Sequence, residues 1–277
     1  MPAVAAPPIA VRPLQGGLLG VARALPSDID WMDGLSFVTS CPDGGGGWAC
    51  EPPAGAIQAP VGLDPTPVSV KNSEASGDVA EFNSFFLYRE RYCEGPYGAA
   101  DVEALAANEY TRLRTHLLAR ELHKGDLSGV GNPTLQNSAT DKTPGGGAQS
   151  LPNSLQALVD LVCQRSDGDV IIHAPISSLP QWIALDLLTI TPTGYSLGLI
   201  PVSFDCYPNE SPAGVPAPTG EHWFYASGTV EVAGSRIETT TGRDGAARQN
   251  IYRAQTEQLN ILRFDPCNIL AVRARTC

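Results

Sequence analysis

The sequence has little positive charge: only three lysines (Lys71, Lys124 and Lys142) occur among 277 residues, and the arginines are scattered. Acidic residues outnumber basic residues by 29 to 18, which gives a formal net charge of −11. Proteins that bind nucleic acid specifically concentrate basic side chains in order to neutralise phosphates. The composition therefore argues against sequence-specific binding of DNA or RNA, and it is compatible with an acidic wall that encloses nucleic acid without adhering to it.

Long apolar runs are also absent, because no stretch reaches the roughly 18 residues that a membrane-spanning helix needs. We therefore expect no membrane association. The first ten residues are apolar, but Pro2, Pro7 and Pro8 interrupt them and no basic leader is present. This pattern predicts a proline-rich arm and not a secretion signal. Hydrophobic residues nevertheless form 43% of the chain, as expected of a protein with a buried core.

The seven cysteines include no Cys-x-x-Cys pair. Their odd number and their spacing match neither a zinc motif nor a dense secreted disulfide framework. Cys41 and Cys50 flank a glycine-rich loop and could close a local disulfide, which spacing alone does not establish. We expect Cys163, Cys206 and Cys267 to be buried free thiols, because their surroundings are apolar.

Motifs of catalysis are missing as well, since no Gly-x-Ser-x-Gly elbow or Gly-x-x-x-x-Gly-Lys loop occurs. His116 and His123 lie on one predicted helix, but neither has an acidic or histidine partner at the spacing of a metal motif. His173 is the last residue of a predicted buried strand, where we expect a hydrogen-bonded core histidine. We therefore predict no catalytic residue, no metal site and no cofactor.

The N-terminal third predicts an arm followed by a projecting hairpin. Residues 1–63 contain many prolines and glycines, and a short apolar patch includes Trp31 and Phe37. Residues 68–94 alternate like two strands, with a turn near Gly77-Asp78. The return strand contains Phe82, Phe85, Phe86, Leu87 and Tyr88 and ends near Arg89 and Arg91. Because this region has little core of its own, we expect its apolar side chains to need a neighbouring subunit.

A long helix is predicted over residues 101–124. Asp101 is a suitable N-cap, apolar residues recur at helical spacing, and Gly125 supplies the stop. His123 and Lys124 should place basic groups at the negative end of the helix dipole. At about 1.5 Å per residue, such a helix spans a whole domain.

The second half alternates helices with strands, which predicts a mixed α+β fold. A helix should begin near Asn153 or Ser154, and Ser178 should cap another that carries Trp182. Ala174-Pro175 should end a strand over residues 169–173, and residues 208–220 predict a loop. The apolar residues within 250–262 follow neither the helical period nor the alternation of a strand. Further strands are predicted over residues 199–204, 222–225, 229–232 and 269–274.

Three stretches, in this order, resemble the Hong Kong 97-type capsid fold of tailed-bacteriophage major capsid proteins and encapsulins. Residues 105–125 are similar to the end of the spine helix of actinobacterial-phage capsid proteins, which usually carry an aromatic residue at the position of His123. Residues 170–175 with the Trp182 helix resemble the axial-domain segment. Residues 223–232, 248–250 and 271–272 resemble the peripheral-domain return.

This resemblance implies an arm (1–63), an extended hairpin (64–99), the spine helix with part of the peripheral domain (100–149), an axial domain (150–222) and the peripheral return (223–277). It also implies a structural protein of the virion that assembles as hexamers and pentamers around double-stranded DNA, with other capsid proteins as possible partners. As a hypothesis, intersubunit contacts fall on the arm and hairpin, at Trp31, Phe37, Phe82, Phe85, Phe86, Tyr88, Arg89 and Arg91. Deletion of residues 72–84 should then prevent shell formation.

Three alternatives remain. The chain could form an encapsulin-like cage or be a minor head protein. A cargo enzyme encoded alongside it would favour the cage. It could be an α/β hydrolase with His173 as the base. It could also be a secreted, disulfide-stapled binding module, which would have few free thiols.

Overall fold

A computed structural model describes residues 16–26, 30–38, 79–94, 99–165, 170–192, 194–243 and 251–276. Within these ranges the α-helices are α1 (Leu18–Val21), α2 (Ala99–Lys124), α3 (Leu135–Ser138), α4 (Leu151–Arg165) and α5 (Leu179–Ala184). The strands are β1 (Arg23–Ala24), β2 (Leu35–Val38), β3 (Val79–Phe82), β4 (Phe85–Glu94), β5 (Thr140–Asp141), β6 (Gln149–Ser150), β7 (Ile171–Pro175), β8 (Thr189–Thr191), β9 (Gly194–Leu197), β10 (Ile200–Asp205), β11 (Glu221–Ser227), β12 (Glu231–Gly234), β13 (Glu238–Arg243), β14 (Ile251–Arg263) and β15 (Leu270–Arg275). The start of the predicted arm, the Cys41–Cys50 loop and the first hairpin strand lie outside the described residues.

Helix α2 confirms the long predicted helix, although it begins at Ala99 and not after Asp101. It ends where predicted, because Gly125 adopts a positive φ of 67° and its N–H donates to the carbonyl of Glu121 at 2.8 Å. Glycine adopts this left-handed conformation without the cost that a Cβ brings. The prediction that His123 supplies charge to the helix end is wrong, since its side chain is completely buried.

The first sheet contains strands β1, β12, β14, β13 and β4. Strand β14 is its centre: β4 pairs with one edge over ten residue pairs, and β13 and β12 pair with the other edge. Residues 251–263, which follow no clear sequence period, are therefore one continuous strand. Their buried face is largely polar, with Thr256, Gln258 and Asn260 pointing inward, so the apolar alternation that marks a strand is missing.

Strands β3 and β4 do not pair with each other within the described residues. Strand β3 pairs with β2, where Leu35 lies opposite Phe82, and β4 pairs with β14. The return strand of the predicted hairpin is therefore two strands, which Asn83 and Ser84 separate. The hairpin itself stays a prediction because its first strand lies outside the described residues.

The second sheet has the order β5-β15-β11-β7-β10-β9-β8, and β6 also pairs with β15. Strands β7 and β10 are parallel, and antiparallel strands β11 and β9 flank them. The prediction that this strand ends at His173 is wrong, because β7 continues through Ala174 and Pro175, which pair with Phe204 and Asp205. Strands β11 and β15 belong to this sheet, so strand pairing crosses the predicted boundary between residues 222 and 223. The division into five segments stays a prediction.

Two apolar cores fill the space around the second sheet. On one face, Leu118 and Leu122 of α2 belong to a core that also includes residues of the first sheet. On the other face, α4 and Trp182 form a second core, in which the Trp182 ring meets Phe204 and Phe224 edge to face. Helix α2 thus contacts both sheets. None of the described helices is long and apolar enough to span a membrane.

Candidate subunit interface

Strand β4 has one face turned toward helix α2 and one face open. Phe85 and Leu87 point inward and are buried, whereas Phe86 and Tyr88 point outward and are 60% and 59% exposed. The alternation follows from the pleat of a strand, in which successive side chains point to opposite faces. The open face also carries Tyr92, with the guanidinium of Arg253 over its ring at 5.8 Å from the centroid. Three aromatic side chains therefore form an exposed stripe, which we call the aromatic stripe (Phe86, Tyr88 and Tyr92).

Two arginines on the inward face of β4 form ion pairs with a glutamate of helix α2. Arg89 donates to Glu109 Oε1 from its Nε at 3.0 Å, and Arg91 also pairs with this carboxylate. Desolvation raises the pKa of Glu109, but the hydrogen bond from Arg89 and the charge of Arg91 outweigh it, so its pKa lies below the usual range. The two arginines, each about half exposed, hold β4 against α2.

The outer edge of β4 has no strand partner among the described residues. An unpaired edge presents a row of backbone N–H and C=O groups, to which another chain can add a strand. Around Phe86 and Tyr88, this edge therefore combines exposed aromatic side chains with backbone groups to which another chain can add a strand.

Two of the predicted contact residues have a different role. Phe82 and Phe85 are 1% and 2% exposed, and the Phe82 ring packs edge to face on Phe264 at 5.5 Å. The expectation that they need a neighbouring subunit is wrong, because the chain's own core covers them. A deletion of residues 72–84 would remove Phe82 and disturb folding, so it is a poor test of assembly.

Among the other predicted contact residues, four on β4 lie at the surface. Phe86 and Tyr88 form the open face of β4, and Arg89 and Arg91 are half exposed. Trp31 is partly buried against the subunit core. Phe37 lies on β2 opposite Ala80. Their participation in contacts between subunits stays a prediction.

Sequence reasoning missed a second group of exposed apolar side chains, which lie between α5 and β10. It consists of Ile183, Leu185, Ile190 and Leu199, with exposures from 49% to 100%. Leu199 follows Gly198, which has a positive φ of 61°, in the turn between β9 and β10. The sequence signal that could have revealed this exposure is the position of an apolar residue, Leu199, directly after a turn glycine. We call these four residues the aliphatic tip.

His173 is a buried core histidine, as predicted. Its Nδ1 lies 3.0 Å from the Tyr207 hydroxyl, and its Nε2 lies 2.8 Å from Ser227 Oγ. Burial, with a smaller contribution from the charge of His123, lowers its pKa to about 3. A ring that is buried, neutral and hydrogen-bonded at both nitrogens is poorly placed to accept a proton from a substrate.

Two predictions about the cysteines are wrong. Cys206 is exposed, and Cys267 is disulfide-bonded, whereas both were expected to be buried free thiols. The apolar neighbours in sequence do not determine burial here, because Cys206 follows the end of β10 and Cys267 lies in the turn before β15.

Comparison with known proteins gives matches of structure only. No family model matches the sequence, and no curated protein matches it. A chain from Mycobacterium phage Ogopogo superposes with a TM-score of 0.59 at 12% identity, over 99% of this chain and 97% of that chain. A chain from Mycobacterium phage Bobi gives a TM-score of 0.56 at 12% identity, over 98% and 94%. The capsid of a native GTA particle gives 0.55 at 14% identity, over 98% and 95%.

Each of these superpositions covers nearly the whole of both chains, so the similarity extends over the complete fold. The chain has the α+β fold of Hong Kong 97-type phage capsid proteins, which confirms the fold predicted from the sequence.

Proposed function

We propose that this chain is a shell-forming structural protein, the major capsid protein of a tailed phage, which is located in the virion. The observation that carries the proposal is that the superposition covers nearly all of both chains. It includes 98% of this chain and 95% of the capsid chain of the native GTA particle. The superposition leaves little of either chain outside the shared fold.

The surface of the subunit supports self-association. Large exposed aromatic and aliphatic side chains occur in the aromatic stripe and in the aliphatic tip, on different sheets. Two separate patches allow contacts between unlike surfaces, which close into rings or shells, whereas a single patch gives a dimer. We therefore propose that copies of the chain contact one another through both patches, and that hexamers and pentamers build the shell.

The charge of the chain supports the same function. A formal net charge of −11 with three lysines suits an inner wall that packaged DNA does not adhere to. We propose that the shell encloses double-stranded DNA without reading its sequence. We assign it no catalytic step, and the buried state of His173 supports this assignment.

The experiment compares shell formation by the wild-type chain with that of Phe86→Asp and Val215→Asp. Phe86 and Val215 are both 60% exposed, but Val215 lies in the loop between β10 and β11 and outside both patches, so it controls for the added charge. Burial of a carboxylate in an apolar contact costs several kcal/mol, and the cost recurs in every subunit. Negative-stain microscopy and light scattering should show shells for wild type and Val215→Asp, and small oligomers for Phe86→Asp with an unchanged circular dichroism spectrum.

Two results would count against the proposal. A wild-type chain that stays monomeric at high concentration would exclude a shell protein, and it would favour a minor head protein. Normal shells from Phe86→Asp would remove the aromatic stripe from the interface but would leave the proposed class intact.

A further inference from the structure

Three potential metal ligands of different chemistry lie together where helix α2 meets the end of strand β10. They are the His116 imidazole, the Asp205 carboxylate and the Cys206 thiol, whose ligand atoms all lie within 4.8 Å of one another. His116 and Asp205 are 89 positions apart in the sequence, so a search for closely spaced ligand residues does not find the cluster. The fold supplies the partner that the sequence around His116 lacks.

The carboxylate is held in place before any ion binds. Asp205 is completely buried, and its Oδ2 accepts the Leu18 N–H at 3.1 Å while its Oδ1 accepts the Cys206 N–H at 2.8 Å. His116 Nδ1 lies 2.5 Å from the same Oδ1. Backbone donors that fix the orientation of a ligating carboxylate are typical of metal sites, where they tune the ligand and reduce the cost of ordering it.

The cluster is also open to solvent on one side. The His116 side chain is 29% exposed, and Cys206 is exposed and free. An ion could therefore enter without rearrangement of the core, and a water molecule could complete its coordination. Three protein ligands with an open fourth position are the usual arrangement of a non-structural zinc site.

The donor set selects the class of ion. Thiolate and imidazole favour Zn²⁺ and related transition metals, whereas Mg²⁺ and Ca²⁺ prefer oxygen ligands alone. Bonds of about 2.0–2.3 Å in a tetrahedral site place ligand atoms roughly 3.3–3.7 Å apart. The contact between His116 and Asp205 must therefore lengthen by about 1 Å as the ion replaces their shared hydrogen bond. The thiol has at most a small distance to move, since no two ligand atoms are more than 4.8 Å apart. Side-chain rotation at the partly exposed His116 and Cys206 can supply both movements.

We propose that His116, Asp205 and Cys206 bind one divalent transition-metal ion of the Zn²⁺ class. The ion joins helix α2 to strand β10. Because Asp205 also holds the N–H of Leu18, the same centre lies beside residues 16–18. The Gly16 carbonyl accepts the Phe204 N–H at 2.8 Å, so this N-terminal segment is already attached to β10, and the ion reinforces a junction of three parts of the chain.

Cobalt spectroscopy tests the proposal on the full-length chain. The protein is reduced, stripped with a chelator and titrated with Co²⁺, which reports a thiolate ligand through a near-ultraviolet charge-transfer band and a tetrahedral site through intense visible bands. Wild type should saturate at one such site per chain, and Zn²⁺ should displace the Co²⁺. Cys206→Ser should lose the charge-transfer band, and His116→Gln should weaken binding at least tenfold.

The test includes a second histidine variant as a control and thermal unfolding as an independent measurement. His222 is a partly buried histidine away from the cluster, so His222→Gln should bind Co²⁺ like wild type. Zn²⁺ should also raise the melting temperature of wild type but not that of Cys206→Ser. No charge-transfer band in wild type, or an equal band in Cys206→Ser that arises from other cysteines, overturns the proposal.

Discussion

Acid should destabilise this subunit through two buried histidines, and His123 offers the cleaner test. The His123 ring packs edge to face on Tyr225 at 4.7 Å between ring centroids. Both ring nitrogens are buried, and neither has a hydrogen-bond partner among the described residues. Burial lowers its pKa from 6.5 to about 4, and burial likewise lowers the pKa of His173 to about 3.

The sign and size of the effect follow from these values. A histidine whose pKa is lower in the folded state takes up its proton more readily when unfolded, so stability is complete above pH 6.5 and is lost as the pH falls below it. Between pH 8 and pH 5, each histidine should cost about 2 kcal/mol, and the pair about 4 kcal/mol. This is a large part of the 5–15 kcal/mol that typically stabilises a domain.

The variant His123→Phe removes the titrating group and keeps an aromatic ring against Tyr225. It also removes buried polar atoms without partners, so at pH 8 it should stabilise the fold by about 1–3 kcal/mol. Its acid-induced loss should fall to about 2 kcal/mol, because His173 is then the one that remains of the two buried histidines. His123→Leu serves as a second variant if the larger Phe ring strains the core.

Urea unfolding, followed by tryptophan fluorescence at pH 8 and pH 5, measures both effects on unassembled subunits. Wild type, in which both buried histidines are present, is the reference and should lose about 4 kcal/mol. If His123→Phe and His123→Leu lose as much stability in acid as wild type, the assignment of acid sensitivity to His123 is refuted.

Three further substitutions test the fold. Gly125→Ala should lower the free energy of unfolding by about 1–2 kcal/mol in urea titrations, because the left-handed conformation is costly for alanine; an unchanged value would contradict the role of Gly125 as the helix stop. Gly194→Ala should detach the N-terminal segment, since its Cβ would lie 2.6 Å from Gly16 Cα, and hydrogen exchange at the Leu18 amide should accelerate at least tenfold; slow exchange would argue against this close approach. Trp182→Ala should cost about 3–5 kcal/mol of stability, again measured in urea, and a loss below 1 kcal/mol would contradict the described core.

The parts of the fold that follow from local pattern could be predicted from the sequence. Helix α2 combines an apolar repeat with a glycine stop, and both signals are local. Strand β14 could not be recognised, because several of its inward side chains are polar and some of them bind distant partners. For example, Gln258 accepts from the Tyr110 hydroxyl at 3.1 Å and donates to the Ser235 carbonyl at 2.6 Å. A buried polar ladder of this kind looks like an exposed segment until the tertiary structure is known.

The candidate interface was only partly predictable for a related reason. The sequence showed a cluster of aromatic residues at 82–92 but did not show which of them the chain covers itself. Phe85 and Phe86 are neighbours in sequence and opposite in exposure. Their assignment depends on the register with β14, where Phe85 pairs with Asn260 and Phe86 with Leu259. A separation of 89 positions likewise hides the contact between His116 and Asp205.

The pairing of β4 with β14 has a mechanical consequence. Ten consecutive residue pairs join the two strands, so a pull along β4 loads its backbone hydrogen bonds in shear and strains them together, instead of peeling them one at a time. Force that reaches the aromatic stripe from outside the subunit would pass into β14 and then to β12 and β13 beyond it. The strand at the surface therefore distributes tension across the whole first sheet.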